Sequence, residues 1–131
     1  MLFCAIDQLS EYYEIAMNSN IVMKMFLKSS NYYSKKYQDS LKKSSKKSQK
    51  SSNPYTWRFK IIQGDTLENF DVIFDKCGIW HMMNQLGILE ATLALCKYDY
   101  SMAKLTNTVF TREQTLAGGG TMCDCHYQKK K

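Results

Sequence analysis

The sequence predicts an α+β fold, in which N-terminal helices and a buried central helix pack on an antiparallel sheet built from two hairpins. Two observations lead to this prediction. Apolar residues follow a helical period in residues 2–26, and from residue 55 onward they alternate with polar residues in segments separated by turn-forming glycines. The 131-residue chain, with 44% hydrophobic residues, fits a single domain with one modest core.

The first thirty or so residues are predicted to form two helices. The polar cluster Asn18-Ser19-Asn20 ends the first helix and offers an N-cap for the second, which starts at Ile21. The first helix carries an apolar stripe at helical spacing, formed by Leu2, Ile6, Leu9, Tyr13 and Ala16.

Residues 28–53 are rich in lysine and serine and are predicted to connect these helices to a core at residues 54–131. Residues 28–50 contain eight lysines and one acidic residue, Asp39. This segment therefore carries a net charge of +7, and the rest of the chain carries a net charge of −1. Such a composition buries little apolar area, which predicts a solvated, partly mobile connector. A phosphate-binding arm and a membrane-surface role are the alternatives, and we expect neither a nucleic-acid nor a membrane partner.

The first predicted hairpin occupies residues 55–75, with Gly64 and Asp65 at its turn. Its first strand has an apolar face formed by Tyr55, Trp57, Phe59 and Ile61, and its second has one formed by Phe70, Val72 and Phe74. The length and apolar character of residues 80–96 then predict a largely buried helix, which Gly87 bends or splits. Its apolar stripe is Met82, Leu86, Leu89, Leu93 and Cys96.

The second predicted hairpin joins residues 106–113 and 121–128 through a turn at Gly118, Gly119 and Gly120, where positive φ is permitted. Strand alternation places Cys123 and Cys125 on one face and Asp124 with His126 on the other. Three zinc ligands therefore do not converge from this segment alone, and a zinc site would need a further ligand from Cys77, Cys96 or His81. We expect no metal and no cofactor.

The compartment expected from the sequence is the cytoplasm. Asp7, Glu11 and Glu14 interrupt the apolar N-terminus, so no secretory signal is predicted, and no apolar run reaches the roughly 20 residues of a membrane helix. Five cysteines at irregular spacing suit reduced thiols better than a disulfide framework.

Three further sets of residues could take part in catalysis or ligand binding. Cys77 and His81 are four residues apart on a predicted helix, so the imidazole could activate the thiol, or the two could never meet. Glu90 and Asp99 each need a partner or water, unless Glu90 faces solvent and Asp99 ends the helix. Arg112 could bind a carboxylate of a substrate or of the chain itself.

Several segments together resemble the L-2-amino-thiazoline-4-carboxylic acid hydrolase family. They are FDVIFDKC at residues 70–77, LGILEA at 86–91, LCKYD at 95–99, REQTLAGG at 112–119 and CD at 123–124. The resemblance covers residues 55–131. It implies a small helix-plus-sheet domain and a hydrolase that opens a 2-amino-thiazoline ring to an N-carbamoyl-cysteine-type product, a step of cysteine metabolism.

These patterns, taken with the resemblance, lead us to expect a small-molecule substrate, and a homo-oligomer is possible. Catalytic roles are expected for Cys123, Asp124, Cys77, Asp99 and Glu90, and substrate contacts for Arg112, His81 and Thr115. On the strand pair, we expect Arg112 to hold a substrate carboxylate while Cys123 or Asp124 acts as nucleophile or base. The alternative is a non-catalytic small-molecule-binding or sensing module on the same scaffold.

Overall fold

A computed structural model describes Gln8, Glu11 and residues 31–131. Within this part of the chain, three helices accompany one four-stranded sheet, which confirms the α+β prediction. In chain order the elements are α1 (Lys35–Gln49), β1 (Arg58–Gln63), β2 (Asn69–Lys76), α2 (Gly78–Gln85), α3 (Glu90–Leu105), β3 (Thr108–Thr111) and β4 (Cys123–Lys129). The two predicted N-terminal helices fall outside the described residues, apart from Gln8 and Glu11, which are helical.

The sheet is antiparallel throughout and has the order β1-β2-β4-β3. Both predicted hairpin pairings are confirmed, and β2 joins them by pairing with β4. Phe74 lies opposite Cys123 and Val72 opposite Cys125, so the apolar face of β2 continues onto the two cysteines. The strands of the second hairpin are shorter than predicted, and a loop at residues 112–122 replaces the tight glycine turn.

Alternation along β2 and β4 builds the core on one face of the sheet. Phe70, Val72 and Cys125 are buried there, together with Phe110 of β3. Ala103 of α3 closes over this cluster. The helix therefore covers the sheet face that carries the cysteines.

The predicted apolar face of β1 is only half correct. Phe59 and Ile61 pack against the core, but Tyr55 and Trp57 precede the strand and are exposed. The strand begins at Arg58, and its register shifts between Arg58 and Phe59. The strict alternation assumed from residue 55 onward therefore does not extend back to Tyr55.

The segment at residues 28–53, which was predicted to be a solvated, partly mobile connector, contains helix α1 at Lys35–Gln49. Ser34 caps its N-terminus by accepting a hydrogen bond from the Tyr37 backbone N–H. Its inner face buries polar side chains: Ser45 donates to the Phe59 carbonyl over 2.8 Å, and Gln38 Nε2 donates to the Leu67 carbonyl over 2.8 Å. Composition alone did not indicate this packing, because hydrogen bonds from polar side chains act together with Leu41, which packs against the core.

The helix predicted at residues 80–96 is split at Gly87 into α2 and α3, which is one of the two outcomes expected from the sequence, but its predicted apolar stripe is wrong. Gly87 lies between them with φ +71°, a left-handed conformation that interrupts the helix. Met82, Leu86 and Leu93 of the predicted stripe are exposed, and α3 buries Thr92, Ala94 and Ala103 instead. None of the helices formed by the described residues is long and apolar enough to cross a membrane.

Candidate functional site

A cavity of about 210 Å³ lies between α3, the start of α2 and the cysteine-bearing face of the sheet. Four of the predicted site residues meet in it: Cys77, Asp99, Arg112 and Cys123. The other lining residues are Trp57, Phe74, Ile79, Thr92, Leu95, Cys96, Cys125 and Tyr127. The wall is therefore largely apolar and sulfur-rich, with one ion pair, which is the usual character of a small-molecule site.

Arg112 fixes the polar end of this cavity. Its Nη1 donates to Asp99 Oδ2 over 2.7 Å, and its Nη2 donates to the Cys96 carbonyl over 2.9 Å. The guanidinium carbon also lies 5.4 Å from the ring centre of Tyr100 and 5.3 Å from that of Phe110. Contacts on several sides leave only 6% of the Arg112 side chain exposed.

The ionisation of this pair reflects its partial burial. Burial lowers the pKa of Arg112, but the hydrogen bond and the charge of Asp99 outweigh it, so the pKa is raised above the ordinary value. The Asp99 side chain is 49% exposed, yet its carboxylate is partly desolvated against the cavity. This desolvation raises the pKa of Asp99 despite the opposing effect of Arg112. A carboxylate of this kind is a better proton acceptor than a fully solvated aspartate.

The four described cysteines are free thiols, and all four line the cavity. Burial raises the pKa of Cys96 to about 11 and that of Cys125 to about 12. Burial also raises the pKa of Cys123. These three sulfurs are consequently protonated near neutral pH, where a thiol is a weak nucleophile.

Cys77 is placed differently, because it caps the N-terminus of α2. Its Sγ accepts a hydrogen bond from the Trp80 backbone N–H over 3.4 Å. The predicted partner His81 does not line the cavity. Its imidazole instead packs edge-on against the Tyr55 ring, with 5.2 Å between ring centres.

Asp124 belongs to β4, but its side chain contacts the loop at residues 112–122 and does not line the cavity. Its Oδ1 accepts from the backbone N–H groups of Glu113 over 3.1 Å and Gln114 over 2.8 Å. The expected pairing of Arg112 with a β4 residue across one pocket therefore holds for Cys123 and fails for Asp124. Strand alternation explains the difference, since neighbouring residues on β4 point to opposite faces.

Thr115 and Glu90 also lie outside the cavity lining. The Thr115 hydroxyl accepts from the Gly118 N–H over 2.9 Å and so shapes the glycine loop, in which Gly119 has φ +89°. Glu90 is exposed in the first turn of α3. The structure therefore brings neither residue to the cysteines.

His126 pairs with Asp71 directly across the sheet, on the face opposite the cavity. In the part of the chain that the structure describes, no three His, Cys, Asp or Glu side chains are grouped so that they could hold a metal ion.

Thr92 is a cavity residue that the sequence reasoning did not single out. It is buried on α3, one turn before Cys96 and two turns before Asp99. Positions i, i+4 and i+7 share one helix face, so this spacing could have indicated that Thr92 lies beside Cys96 and Asp99. The signal was hidden because the predicted stripe was chosen by apolar residues alone.

The model of the family L-2-amino-thiazoline-4-carboxylic acid hydrolase matches residues 2–127. No curated protein and no solved structure matches the chain.

Proposed function

Because the chain belongs to the L-2-amino-thiazoline-4-carboxylic acid hydrolase family, we propose that it opens a 2-amino-thiazoline-4-carboxylate-like ring in the cysteine-lined cavity. The observation that carries this proposal is the Arg112–Asp99 pair at the wall of a cavity of about 210 Å³. Drug-sized ligands occupy pockets of about 300–1,000 Å³, so the smaller volume suits a single five-membered ring with a carboxylate.

Arg112 is the proposed contact for the substrate carboxylate. A guanidinium has five N–H donors, and one on each Nη holds Asp99 and the Cys96 carbonyl. Another donor reaches the Cys125 sulfur, and the donors that are left are proposed to bind the substrate carboxylate. The packing on Tyr100 and Phe110 holds the planar group in a fixed orientation.

Asp99 is the proposed base. Water adds to C2 of the ring while Asp99 accepts one of its protons, which gives a tetrahedral centre that bears oxygen, sulfur and two nitrogens. The electron pair of the C2–N3 double bond passes to the ring nitrogen N3, which takes up the remaining hydroxyl proton as the oxygen becomes the carbamoyl oxygen. The C2–S bond breaks in the same collapse, and the protonated Asp99 returns its proton to the departing sulfur. The raised pKa of Asp99 suits a group that acts first as base and then as acid.

The cysteines divide between two roles in this scheme. Cys96, Cys123 and Cys125 serve as neutral, polarisable walls around the ring, since burial raises the pKa of each of these thiols. Cys77 is the alternative attacking group, because its sulfur accepts a backbone N–H at a helix N-terminus, where negative charge is stabilised. Attack by Cys77 would leave a covalent adduct that intact-mass spectrometry detects, whereas the water route leaves none.

A second candidate function is a non-catalytic binding or sensing module. The observation that favours it is the mutual neutralisation of Arg112 and Asp99 among protonated thiols. Such a site binds a ligand that carries both charges without supplying an activated nucleophile.

One experiment separates the two candidates. The purified reduced chain is incubated with L-2-amino-thiazoline-4-carboxylate, N-carbamoyl-cysteine is quantified by mass spectrometry, and binding is measured by calorimetry. The hydrolase proposal predicts product with the wild-type chain, loss of at least about 100-fold in kcat for Asp99→Asn, and wild-type turnover for Asp75→Asn, whose parent carboxylate pairs with Arg58 at the surface. Binding without product favours the sensing module, and absence of both rejects the proposed substrate class.

A further inference from the structure

A second cavity, of about 340 Å³, lies between helix α1 and the sheet. Tyr37 and Leu41 of α1 line one side, and Phe59 of β1 and Phe74 of β2 are among the residues that line the other. The volume falls within the range of about 300–1,000 Å³ that is usual for small-molecule sites. Among the described residues that line this cavity, seven of nine are aromatic and none is charged.

The side chains around this cavity are incompletely packed. Interiors of folded proteins hold few voids larger than a water molecule. Here Leu41, Phe59, Phe74 and Tyr127 contact the core cluster but stay only partly buried, and Trp57 keeps 40% of its surface exposed. Apolar side chains that border a cavity in this way offer surface that a hydrophobic ligand can bury.

Two pairs of aromatic rings lie on the sheet side of the cavity. The ring centres of Phe70 and Tyr127 are 5.0 Å apart and their planes differ by 10°, and those of Phe59 and Phe74 are 5.4 Å apart with planes that differ by 37°. Aromatic side chains bind other rings in offset stacks or edge to face. A charged ligand would lose its hydration here without gaining a charged partner among the described lining residues. The lining therefore suits a flat, uncharged aromatic molecule.

The hydroxyl of Tyr127 adds a polar group to this lining. Tyr33 shows the usual arrangement of a buried tyrosine, because its Oη lies 2.6 Å from Thr108 Oγ1. Tyr127 Oη forms no hydrogen bond with any residue that the structure describes, and it is not among the fully enclosed oxygens, unlike Thr92 Oγ1. Burial raises the pKa of Tyr127, so its hydroxyl is protonated at neutral pH and can donate. A ligand with a hydrogen-bond acceptor would give this donor a partner.

We propose that the cavity between α1 and the sheet is a second ligand site, which binds a flat, uncharged aromatic molecule whose hydrogen-bond acceptor pairs with the Tyr127 hydroxyl. The site differs in chemistry from the cysteine-lined cavity, which has the Arg112–Asp99 pair in its wall. The two cavities are neighbours, because Trp57, Phe74 and Tyr127 line both. This inference goes beyond the proposed hydrolase function and does not rest on it.

The first test compares two uncharged two-ring probes, coumarin and naphthalene, of which only coumarin has a hydrogen-bond acceptor. Dissociation constants are measured by calorimetry for the wild type and for Tyr127→Phe. We expect the wild type to bind both probes. Tyr127→Phe removes the hydroxyl and keeps the ring, so it should bind coumarin about fivefold more weakly than the wild type and naphthalene within about twofold of the wild type.

A matched pair of tryptophan substitutions locates the bound probes. Leu41 lines the second cavity and not the first, and Leu95 lines the first and not the second. Leu41→Trp fills the proposed site, so both probes should bind at least about tenfold more weakly. Leu95→Trp adds the same volume to the cysteine-lined cavity and should leave both dissociation constants within about twofold of the wild type. Thermal unfolding checks that each variant is folded.

Three results overturn the inference: failure of the wild type to bind coumarin, weaker binding in Leu95→Trp but not in Leu41→Trp, or an equal change for coumarin and naphthalene in Tyr127→Phe. Tyr127→Phe adds no volume to the core, so it decides the inference even where Leu41→Trp fails to fold. Neither probe is an amino-thiazoline or a carboxylate, so these results leave the hydrolase proposal to its own experiment.

Discussion

Arg112 Nη1 donates to Asp99 Oδ2 over 2.7 Å, which ties the segment after β3 to the middle of α3. The arginine is almost completely buried and the aspartate is half exposed, so the pair forms a wall of the cavity with its acid end towards solvent. The same guanidinium holds the Cys96 carbonyl. One side chain therefore sets both the charge and the shape of the proposed site.

Arg112→Lys is expected to lower both stability and ligand affinity. An ammonium cannot hold the Asp99 carboxylate and the Cys96 carbonyl in the same planar arrangement, so we expect a loss of about 1–3 kcal/mol in the free energy of unfolding. Affinity for the amino-thiazoline carboxylate should fall about tenfold. Urea unfolding and calorimetry measure the two effects.

Arg58→Lys is the matched control, since Arg58 is the other arginine of the chain and pairs with Asp75 at the surface. It should leave the free energy of unfolding nearly unchanged, because an exposed ion pair contributes little to stability. Equal effects of the two substitutions would show that Arg112 has no special structural role.

The pH dependence of turnover should report Asp99. The proposed base must be ionised, so kcat/KM should fall as the pH drops through the pKa of Asp99. Because burial raises this pKa, the acid limb should lie above the ordinary aspartate value of about 4. In Asp99→Asn, any kcat/KM that remains should not show this fall at low pH. If the variant shows the same fall as the wild type, the titrating group is not Asp99.

Asp124 is expected to act through the loop and not through chemistry. Asp124→Ala removes the acceptor of the Glu113 and Gln114 N–H groups and should cost about 1–2 kcal/mol of stability. Asp124→Asn keeps an oxygen at this position, so we expect near-wild-type stability and turnover. Loss of turnover in a well-folded Asp124→Asn variant would restore the catalytic role expected from the sequence.

Sequence patterns predicted those features that depend on apolar periodicity. The alternation of Phe70, Val72 and Phe74 predicted β2, and the same period placed Cys123 and Cys125 on one face. Patterns failed where polar groups decide the structure. Helix α1 buries Gln38 and Ser45 through hydrogen bonds that leave no apolar signal.

The choice between Asp99 and Asp124 was likewise not available from the sequence. It depends on how β4 faces α3 and on which carboxylate Arg112 reaches, and both are tertiary relationships. Residue spacing identified the candidates but not the pairing among them. Thr92 was missed because the stripe predicted on this helix was chosen by apolar residues alone.

Helix α1 should contribute to stability in spite of its lysine-rich composition. Gln38→Ala removes the Nε2 bonds to the Tyr32 and Leu67 carbonyls, and we expect a cost of about 1–3 kcal/mol in the free energy of unfolding. Lys42→Ala on the exposed face of the same helix should change it by less than about 0.5 kcal/mol. If urea unfolding showed equally small effects for Gln38→Ala and Lys42→Ala, this segment would be a connector that contributes little to stability.

The central claim is that the cavity between α3 and the cysteine-bearing face of the sheet is the ligand site. A crystal structure of the reduced chain with L-2-amino-thiazoline-4-carboxylate tests it most directly. We predict the ring between Cys96 and Cys123, its carboxylate within hydrogen-bonding distance of Arg112, and C2 on the side of Asp99. Electron density for the ligand elsewhere, for example at the glycine loop beside Thr115, with this cavity empty, would contradict the account.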